Sequence, residues 1–556
     1  MKAFFLVIVS IICIVNNNAA QNKSKQNSII QSGNSRPKIV IGLVIDQMRW
    51  DYLYRYSYNY SSGGFKKLLM QGFTAQNTMI PYLPTVTAAG HACIYTGSVP
   101  AIHGIVANDW VDKETGYVMY CAKDTLVMPV GSNSLKEGQM SPKNMLTNTI
   151  GDELKLASNF KSKVIGIALK DRGGILPAGH SANAAYWFDN NTANWITSTY
   201  YMDTLPTWVK AFNSKKQVDV LVKNDWNLLY DKSKYVQSTP DDMPFEKILE
   251  SDKGRTFPHK YQSLIGSNNY DAFRASPFGN TFTFQFAKEV LINEKMGEGD
   301  NTDMLCISIS STDYLGHRFG PNSLELEDTY IRLDKNIEDF LLFLDEKYGT
   351  NGYTIFLTAD HGAPQIGNYL KSKKYTTAGT LNSNTILKNI NDLCKQKFGI
   401  NMAVKKIYDY DLYLNHYSID SAKIDKTVLK QVIVQYLKTI PEVWNAFDYD
   451  NFNNTILPTV IKERLANSYY FRRSGDVQYF YKAQLTDYTV DGIEHGAWYA
   501  YDAHIPLIFY GCGVTPGKTY RETYMTDIAP TIAALLHIQM PSGSIGKVIE
   551  EVKNDL

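Results

Sequence analysis

The sequence has almost no net charge. Its 556 residues include 56 lysines and arginines against 55 aspartates and glutamates, which gives a formal charge of +1 at pH 7. A broad basic surface that could hold a nucleic-acid backbone or an anionic membrane is therefore not expected. Hydrophobic residues make up 44% and charged residues 20% of the chain, the proportions of an ordinary folded protein. Any anionic ligand must be met by local charge, and we expect no nucleic-acid polymer as a partner.

Long apolar runs and cysteines are also scarce. Residues 3–15 form an apolar run that is too short to span a membrane but fits the core of a secretory signal peptide. A signal peptide over residues 1–20, cut after Ala20, predicts a periplasmic or secreted protein with no membrane span. Cys13 lies in this run, so five of the six cysteines remain in the mature chain. An odd and sparse set excludes a disulfide scaffold, and at least one thiol should be free or buried.

Several catalytic motifs are missing. The Gly-x-Ser-x-Gly motif of many serine hydrolases does not occur. Ser98-Val-Pro-Ala-Ile102 lacks the arginine of a sulfatase motif, and Gly513–Thr519 resembles a phosphate loop whose required glycine is replaced by Cys512. The chain has no internal repeat, which disfavours solenoids and propellers.

Buried strands are predicted where aliphatic residues run almost without interruption, first at Lys38–Ile45. Similar runs occupy 163–169, 304–310, 353–357 and 505–510, with helical patterns such as 282–294 and 330–348 between them. Alternating strands and helices predict an α/β fold with a mostly parallel central sheet and helices on both faces.

The predicted organisation is one domain over residues 37–545, after a polar linker at 21–36 and before a C-terminal tail at 546–556. Segments at about 181–281 and 366–489 interrupt the alternation and are rich in Tyr, Asn and Lys. We expect them to be insertions packed around the mouth of the site. No helix-pairing pattern requires a dimer, so a monomer is expected.

Charged residues follow four of the predicted strands. They are Asp46, then Lys170-Asp171-Arg172, then Asp313 and His317, then Asp360-His361. The carboxyl ends of parallel strands form the ligand crevice of an open α/β sheet, so these side chains should meet in space. Taken singly, Asp46 is better explained as a helix cap and Asp313 with His317 as a surface pair. Together they predict metal ligation, since Asp and His four residues apart share a helical face.

Two cations and two hydroxyl groups complete the candidate site. If the strand continues, Lys170 and Arg172 point to the same side, an arrangement that suits a dianionic phosphate. Thr85 and Thr87 stand at the start of a predicted helix, where a hydroxyl can cap the helix or act as a metal-activated nucleophile. The residues alone leave Thr85 and Thr87 both open.

The spaced motifs resemble the alkaline phosphatase superfamily. The motifs are Pro84-Thr-Val-Thr-Ala-Ala-Gly-His91, Tyr95-Thr-Gly97, His103-Gly-Ile-Val-Ala-Asn108, Asp313-x-x-x-His317, Asp360-His-Gly362 and His495-Gly496. The threonine and the His-Gly-Ile-x-x-Asn block are shared with nucleotide pyrophosphatase/phosphodiesterases. Lys170-Asp-Arg172 resembles the bacterial phosphate-insensitive, PafA-type alkaline phosphatases, which are monoesterases.

The resemblance implies a role for each matched residue. Asp313, His317 and His495 would hold one Zn²⁺; Asp46, Asp360 and His361 would hold a second, completed by the nucleophile Thr87. Asn108, Lys170 and Arg172 would bind the nonbridging phosphate oxygens. The family comparison favours Thr87 over Thr85, and His495 is preferred to His504, which we expect to have a packing role. The other histidines are expected to be structural, with His91 close enough to the nucleophile helix to support the ligands.

The function so implied is an exported alkaline phosphatase with two Zn²⁺ per chain. It would release inorganic phosphate from a broad range of small-molecule phosphate monoesters through a phosphothreonine intermediate. The alternative enzyme is a phosphodiesterase or nucleotide pyrophosphatase that uses the same two-zinc site. A third hypothesis is a carbohydrate- or phosphate-binding protein that kept the fold and lost catalysis.

Overall fold

The computed structural model describes residues 36–487 and 491–553. The predicted signal peptide, residues 21–35 of the linker and the last three residues of the tail lie outside the described residues. The strands are β1 Ile39–Ile45, β2 Phe73–Met79, β3 Asp109–Val111, β4 Val118–Tyr120, β5 Pro129–Val130, β6 Val164–Ala168, β7 Ala184–Phe188, β8 Trp195–Ser198, β9 Asp303–Ile309, β10 Tyr353–Thr358, β11 Gly379–Leu381, β12 Val404–Tyr408, β13 Asp411–Leu414, β14 Val443–Asp448, β15 Val477–Tyr481, β16 Leu485–Asp487, β17 His504–Ile505, β18 Leu507–Gly511 and β19 Gly517–Tyr524.

The helices lie between these strands. They are α1 Tyr52–Arg55, α2 Phe65–Gln71, α3 Thr87–Thr96, α4 Pro100–His103, α5 Leu135–Gly138, α6 Ile150–Ala157, α7 Asp171–Ala178, α8 Thr207–Ser214, α9 Gln217–Leu221, α10 Asp271–Arg274, α11 Pro277–Asn293, α12 Ser311–Phe319, α13 Leu324–Tyr348, α14 Gly367–Ser372, α15 Ser383–Phe398, α16 His416–Ser421, α17 Lys426–Thr439, α18 Thr459–Ser468, α19 Ala500–Ala503 and α20 Ile528–Leu536. None of the described helices is long and apolar enough to cross a membrane.

The central sheet has the strand order β17-β2-β18-β10-β1-β9-β6-β7-β8-β5, with β19 paired to β2. Strands β10, β1, β9, β6 and β7 are parallel, whereas β18 and β8 run antiparallel to their neighbours. All seven residues of β1 are buried, as its continuous aliphatic run predicts. The prediction of an α/β fold with a mostly parallel central sheet is confirmed.

The register of the sheet brings the strand ends together. Ile45 at the end of β1 pairs with Ile309 at the end of β9, and Ala168 of β6 pairs with Ser308. Val44 pairs with Thr358, the last residue of β10. The residues that follow β1, β6, β9 and β10 therefore share one edge of the sheet.

The two segments that interrupt the alternation differ in structure. Residues 181–281 contain β7 and β8, which extend the central sheet. Residues 366–489 contain a separate four-stranded sheet of order β12-β13-β15-β14, packed with α15 and α17. This sheet has its own hydrophobic core, in which Ile390, Leu429 and Ile433 are fully buried. We call this core, with its sheet and helices, the second core.

Helix α3 lies inside the protein, and all ten of its residues are buried. It packs directly against the chain after β10, because a Cβ on Gly90 would lie 2.5 Å from the main-chain oxygen of Asp360. Only glycine allows this close approach. The same contact holds the first residue of α3, Thr87, beside the edge where the strand ends meet.

The five cysteines among the described residues are buried in the interior. Cys93, Cys121, Cys306 and Cys394 are buried free thiols, and Cys512 is buried as well. Burial raises the pKa of the Cys394 thiol to about 11, which keeps it protonated and unreactive. The expectation of at least one free or buried thiol is confirmed.

Candidate metal centre

Lys170 lies at the centre of the residues that follow the strands. Its Nζ is 2.7 Å from Asp46 Oδ2 and 2.6 Å from Asp313 Oδ2. All three side chains are buried, and the Asp46 main-chain nitrogen donates to Ile309 oxygen at 3.0 Å, which continues the ladder between β1 and β9. The strand-end residues thus meet in space, as their positions in the sequence predict.

The first candidate ligand set is Asp313, His317 and His495. Helix α12 places Asp313 and His317 one turn apart, and Asp313 Oδ1 lies 3.2 Å from His317 Nε2. The same oxygen lies 3.6 Å from Nε2 of His495, which follows the second core in the chain. These ligand atoms are mutually close enough to share one ion.

The second candidate set forms around His361. Its Nε2 lies 3.5 Å from Asp46 Oδ1 and 3.5 Å from Asp360 Oδ2. Among the described residues, the group around His361 that is close enough for one ion is Asp46, Asp313 and His361. Asp313 therefore lies between the two sets, and Asp360 lies outside this group. Asp360 uses its other oxygen, Oδ1, to accept from the main-chain nitrogens of Gln47 and His361 at 3.1 and 3.0 Å.

The histidine tautomers follow from their hydrogen bonds. Nδ1 of His317, His361 and His495 lies 2.7, 3.0 and 2.8 Å from the main-chain oxygens of Ile493, Gly362 and Thr85. A carbonyl oxygen can only accept, so each Nδ1 carries the proton, and in the neutral ring each Nε2 is an acceptor. Each Nε2 faces a carboxylate that also accepts. A cation between these acceptors resolves the conflict, which is the arrangement of metal-binding histidines oriented by a second hydrogen bond.

The electrostatics of the cluster also favour a bound cation. The cluster contains three buried carboxylates, those of Asp46, Asp313 and Asp360, and the Lys170 ammonium contacts the first two. Burial and the neighbouring Asp360 raise the pKa of Asp46 well above its ordinary value, although Lys170 opposes this. Burial lowers the pKa of His361 to about 3, so its ring is neutral. Within the described parts of the chain, Asp46 Oδ1, Asp360 Oδ2 and His361 Nε2 are buried and have no hydrogen-bond partner, and such atoms suit divalent-metal ligation.

Thr87 and Asn108 approach the cluster from the start of α3. Thr87 Oγ1 accepts from Lys170 Nζ at 3.2 Å. Asn108 Oδ1 accepts from the main-chain nitrogen of Ala88 at 3.0 Å, which leaves its amide nitrogen as a donor. Both residues therefore lie at the N-terminus of a buried helix, where backbone N–H groups favour an anion.

The structure distinguishes the alternative residues, Thr85 from Thr87 and His504 from His495, by their hydrogen-bond partners. The Thr85 hydroxyl donates to Ala497 oxygen at 3.0 Å, away from Lys170, while its carbonyl orients His495. His504 Nε2 lies 3.0 Å from Gln76 oxygen, and its ring stacks on Trp50. The structure thus places Thr87 and His495 in the cluster and gives Thr85 and His504 other partners.

Lys170 and Arg172 are not arranged as a continued strand. Strand β6 ends at Ala168, Lys170 is the N-cap of α7, and Arg172 lies in the first turn of that helix. The Gly173-Gly174 pair of α7 packs closely on the sheet, since a Cβ on Gly166 of β6 would clash with the main-chain oxygen of Gly174. Arg172 Nη1 donates to the Tyr120 hydroxyl at 3.2 Å, and that hydroxyl donates to Asp171 at 2.6 Å.

A cationic cavity of about 420 Å³ opens beside these two residues. Lys123, Lys136 and Arg274 line it together with Lys170 and Arg172. Asp109, Glu137 and Asp171 are the acidic residues in its wall, so cations exceed acids by five to three. This flank of the cluster is suited to the oxygens of a dianionic ligand.

Sequence reasoning missed Gln47. Its main-chain nitrogen donates to Asp360, and its Nε2 donates to Asp313 Oδ1 at 2.6 Å, so one residue joins the two ligand sets. It adopts a left-handed φ of 64°, which is uncommon outside glycine. The one signal was its position directly after Asp46. His91, expected to support the ligands, lies with Nδ1 3.3 Å from Asp360 Oδ2 and Nε2 2.8 Å from Ser308 Oγ.

Comparisons with known proteins identify relatives that match most of the chain. Alkaline phosphatase PhoV of Synechococcus elongatus is 48% identical over 96% of this chain and 96% of its own length. Alkaline phosphatase PafA of Elizabethkingia meningoseptica is 45% identical over 93% of this chain and 94% of its own. A protein of Myroides odoratus named calcium-transporting ATPase is 49% identical over 93% and 94% of the two chains.

The crystal structure of wild-type alkaline phosphatase PafA superposes with a TM-score of 0.91 at 44% identity, covering 93% of this chain and 99% of that one. The family model described as type I phosphodiesterase / nucleotide pyrophosphatase matches residues 40–482. That range holds every strand-end residue of the cluster. The predicted resemblance is thereby confirmed: the chain belongs to the type I phosphodiesterase / nucleotide pyrophosphatase family and is similar over most of its length to PafA-type alkaline phosphatases.

Proposed function

We propose that the protein is a zinc-dependent phosphate monoester hydrolase that acts through a phosphothreonine on Thr87. The observation that carries this proposal is the position of Thr87 Oγ1, at the N-terminus of a buried helix and 3.2 Å from the ammonium of Lys170. Lys170 in turn contacts the carboxylates of both candidate ligand sets. Relatives named alkaline phosphatases, 45 to 48% identical over nearly the whole chain, support the same activity.

Two zinc ions fit the available ligands. Asp313, His317 and His495 would hold one ion, and Asp46, Asp360 and His361 the other, with three protein ligands each and therefore open positions. Bound there, the ions would supply positive charge that favours ionisation of the Thr87 hydroxyl and stabilises the leaving oxygen. Zinc is proposed over other divalent metals because the ligands combine imidazole and carboxylate, as in zinc enzymes.

Side chains of the protein supply the nucleophile and bind the phosphate oxygens. Thr87 Oγ attacks phosphorus in line, the leaving group departs on the opposite side, and water then hydrolyses the phosphothreonine. The amide nitrogen of Asn108, the ammonium of Lys170 and the guanidinium of Arg172 stabilise the nonbridging oxygens in both steps. Two successive displacements leave the configuration at phosphorus unchanged.

Replacement of Thr87 tests the nucleophile. Thr87→Ala should lower kcat for an aryl phosphate by at least about a thousandfold, because no other hydroxyl replaces the attacking oxygen. Thr85→Ala is the matched control, since it removes a buried threonine hydroxyl two residues away while keeping the carbonyl that orients His495. Near wild-type turnover by Thr87→Ala, in protein that binds metal normally, would refute this nucleophile.

A phosphodiesterase is the second candidate, because the matching family is described by that activity. The cationic cavity argues for the monoester, since a dianion gains more from Lys170 and Arg172 than a singly charged diester does. The test compares kcat/KM for an aryl phosphate and its methyl diester. We expect the monoester to be preferred and Arg172→Ala to reduce that preference; a diester preference in the wild type would favour the alternative.

We further propose that the protein is exported and acts as a monomer on small-molecule phosphate esters. The apolar run at residues 3–15 supports export. Cell fractionation with N-terminal sequencing of the mature protein tests this, with the first residue expected at position 21. A mature protein that retained residues 1–20 in the cytoplasm would contradict it.

A further inference from the structure

A second cavity beside the cluster is acidic, whereas the cavity of Lys170 and Arg172 is cationic. It has a volume of about 250 Å³, and His495 of the first ligand set forms part of its wall. Four carboxylates line it, those of Asp409, Asp487, Glu494 and Asp502. Within the part of the chain that the structure describes, no lysine or arginine lines this cavity. We call it the acidic pocket.

In one of these carboxyl groups, that of Asp502, only one of the two oxygens has hydrogen-bond partners among the described residues. Asp502 is only 1% exposed, and its Oδ2 accepts from the main-chain nitrogens of Gly496 and Ala497 at 3.1 and 2.8 Å. Its Oδ1 is buried without a hydrogen-bond partner in the described structure, although the residue lines the pocket. A buried carboxyl oxygen of this kind is unfavourable unless a cation or donor reaches it, and burial raises the pKa of Asp502 to about 7.

Tyrosines form the remainder of the wall. Tyr410 and Tyr481 meet with ring centroids 5.3 Å apart and an angle of 72° between their planes, and both line the pocket with Tyr501. Tyr501 is held in place, since its hydroxyl accepts from the Gln484 main-chain nitrogen at 3.1 Å. Aromatic faces together with carboxylates are the surroundings that recognise organic ammonium groups.

A metal ion fits the pocket less well than an organic cation. Among the described residues, two groups of three acids or histidines are close enough to share an ion, and both contain Asp313. Neither group includes a pocket carboxylate. No three of the pocket carboxylates therefore lie close enough to coordinate one ion together. A diffuse cation that spans several ångströms and touches tyrosine faces matches their spacing better.

We infer that the acidic pocket binds a cationic amine in the leaving group of the substrate, so that phosphate monoesters of amino alcohols are preferred. This inference rests on the proposed function. If Thr87 completes the set of Asp46, Asp360 and His361, the leaving group departs opposite to it, toward Asp313, His317 and His495, and His495 is part of the pocket wall. The two flanks then match a zwitterionic substrate: the cationic cavity faces the phosphate oxygens and the acidic pocket faces the ammonium. A leaving group that carries a carboxylate would be repelled.

The test compares O-phosphorylethanolamine with 2-hydroxyethyl phosphate, which has a neutral leaving group of similar size. We expect kcat/KM of the wild type to be roughly tenfold higher for the amine, as one cation–π and carboxylate contact supports. Asp409→Asn should bring that ratio close to one, since it removes a pocket charge while asparagine tolerates the left-handed φ of 50° at this position. Asp392→Asn, an exposed carboxylate on α15 outside the pocket, should leave the ratio unchanged.

Equal kcat/KM values for the two esters in the wild type, or an unchanged ratio in Asp409→Asn, would overturn the inference. Calorimetric binding of ethanolamine separates it from the proposed function. Binding by the wild type that Asp409→Asn weakens, in a protein that hydrolyses no monoester, would retain the pocket and reject the hydrolase. Hydrolysis of neutral esters by a protein that does not bind ethanolamine would retain the hydrolase and reject the amine-binding pocket. Displacement of ethanolamine by Ca²⁺ at equal concentration would also overturn the inference, because it would identify a metal site.

Discussion

Gln47 connects the two ligand sets by single hydrogen bonds. Its side chain holds Asp313 and its main-chain nitrogen holds Asp360, while its left-handed conformation turns the chain sharply after β1. The amide of Gln47 contributes no ligand atom of its own. Its effect is to fix which oxygen of Asp313 faces inward, and such supporting groups typically change metal affinity by about 10–100-fold.

Gln47→Gly should therefore weaken metal binding by roughly 10–100-fold while keeping the turn, since glycine adopts a positive φ freely. The measurement is a competition titration with a zinc chelator, read out by bound metal. Lys253→Gly is the matched control, because Lys253 is an exposed residue with a similar φ of 56° far from the ligands in the sequence. Unchanged zinc affinity in Gln47→Gly would show that the amide has no orienting role.

At this scale the sequence predicted the strand-end carboxylates well, because buried aliphatic runs end visibly and a charged residue after them has few structural reasons to be there. It could not predict Gln47, whose role depends on a backbone angle and on two aspartates distant in the chain. Nor could it separate Thr85 from Thr87 without a family comparison, since both precede the same helix. Their difference lies in hydrogen-bond partners that only the folded chain brings near.

At the scale of elements, the N-termini of helices position Thr87, Lys170, Arg172 and Asp313, and α6 shows how such an end is stabilised. Thr149 and Asp152 form a capping box, and Asp152 also accepts from the main-chain nitrogens of His180 and Ser181 after α7. Burial alone would raise the pKa of Asp152, but the His180 ring, whose Nδ1 lies 3.7 Å from Asp152 Oδ2, and the hydrogen bonds from Ser181 and Thr149 lower it to about 2. The carboxylate thus ties α6 to the end of the helix that carries Arg172.

Asp152→Ala should lower the free energy of unfolding by about 2 kcal/mol at pH 7, which corresponds to a pKa depressed by between one and two units. Because the folded-state pKa lies below the unfolded one, this stability is complete above pH of about 4 and is lost as the pH falls toward about 2. Urea denaturation at pH 7 and pH 3 measures both effects.

The difference between wild type and Asp152→Ala should shrink at pH 3. Asp420→Ala, which removes an exposed carboxylate at the end of α16, should change stability by less than about 0.5 kcal/mol at either pH. A wild-type advantage that grew on acidification would contradict the assigned direction of the pKa shift.

At the scale of the whole molecule, the central sheet and the second core are separate hydrophobic units that meet at the candidate site. Asp46, Asp313 and Asp360 follow strands of the central sheet, whereas Tyr410 and Tyr481 of the acidic pocket belong to the second core. The sequence predicted the central sheet from its runs, but the short strands of the second core alternate or carry lysines and aromatics. The pairing of β13 with β15 joins Asp411 to Gln478, and that of β14 with β15 joins Val443 to Tyr481, separations that no local pattern records.

Separate cores should unfold locally with different free energies. Ile433→Ala, at a fully buried position in the second core, should lower local stability by about 2–4 kcal/mol and speed amide hydrogen exchange in β12 to β15. Amides of β1 and β9 should keep their protection. Leu305→Ala in β9 is the matched control, expected to speed exchange in the central sheet; equal acceleration everywhere by Ile433→Ala would show a single cooperative unit.

The hydrogen bonds that orient the three candidate histidine ligands all end on main-chain carbonyls, those of Thr85, Gly362 and Ile493. No side-chain replacement deletes a carbonyl, so an exhaustive mutational scan would pass over the groups that set the protonation of the rings. A different amino acid at any of these three positions still supplies the acceptor wherever the backbone path is kept. The histidine tautomers thus depend on the backbone conformation. They can be the same in relatives whose amino acids differ at these three positions.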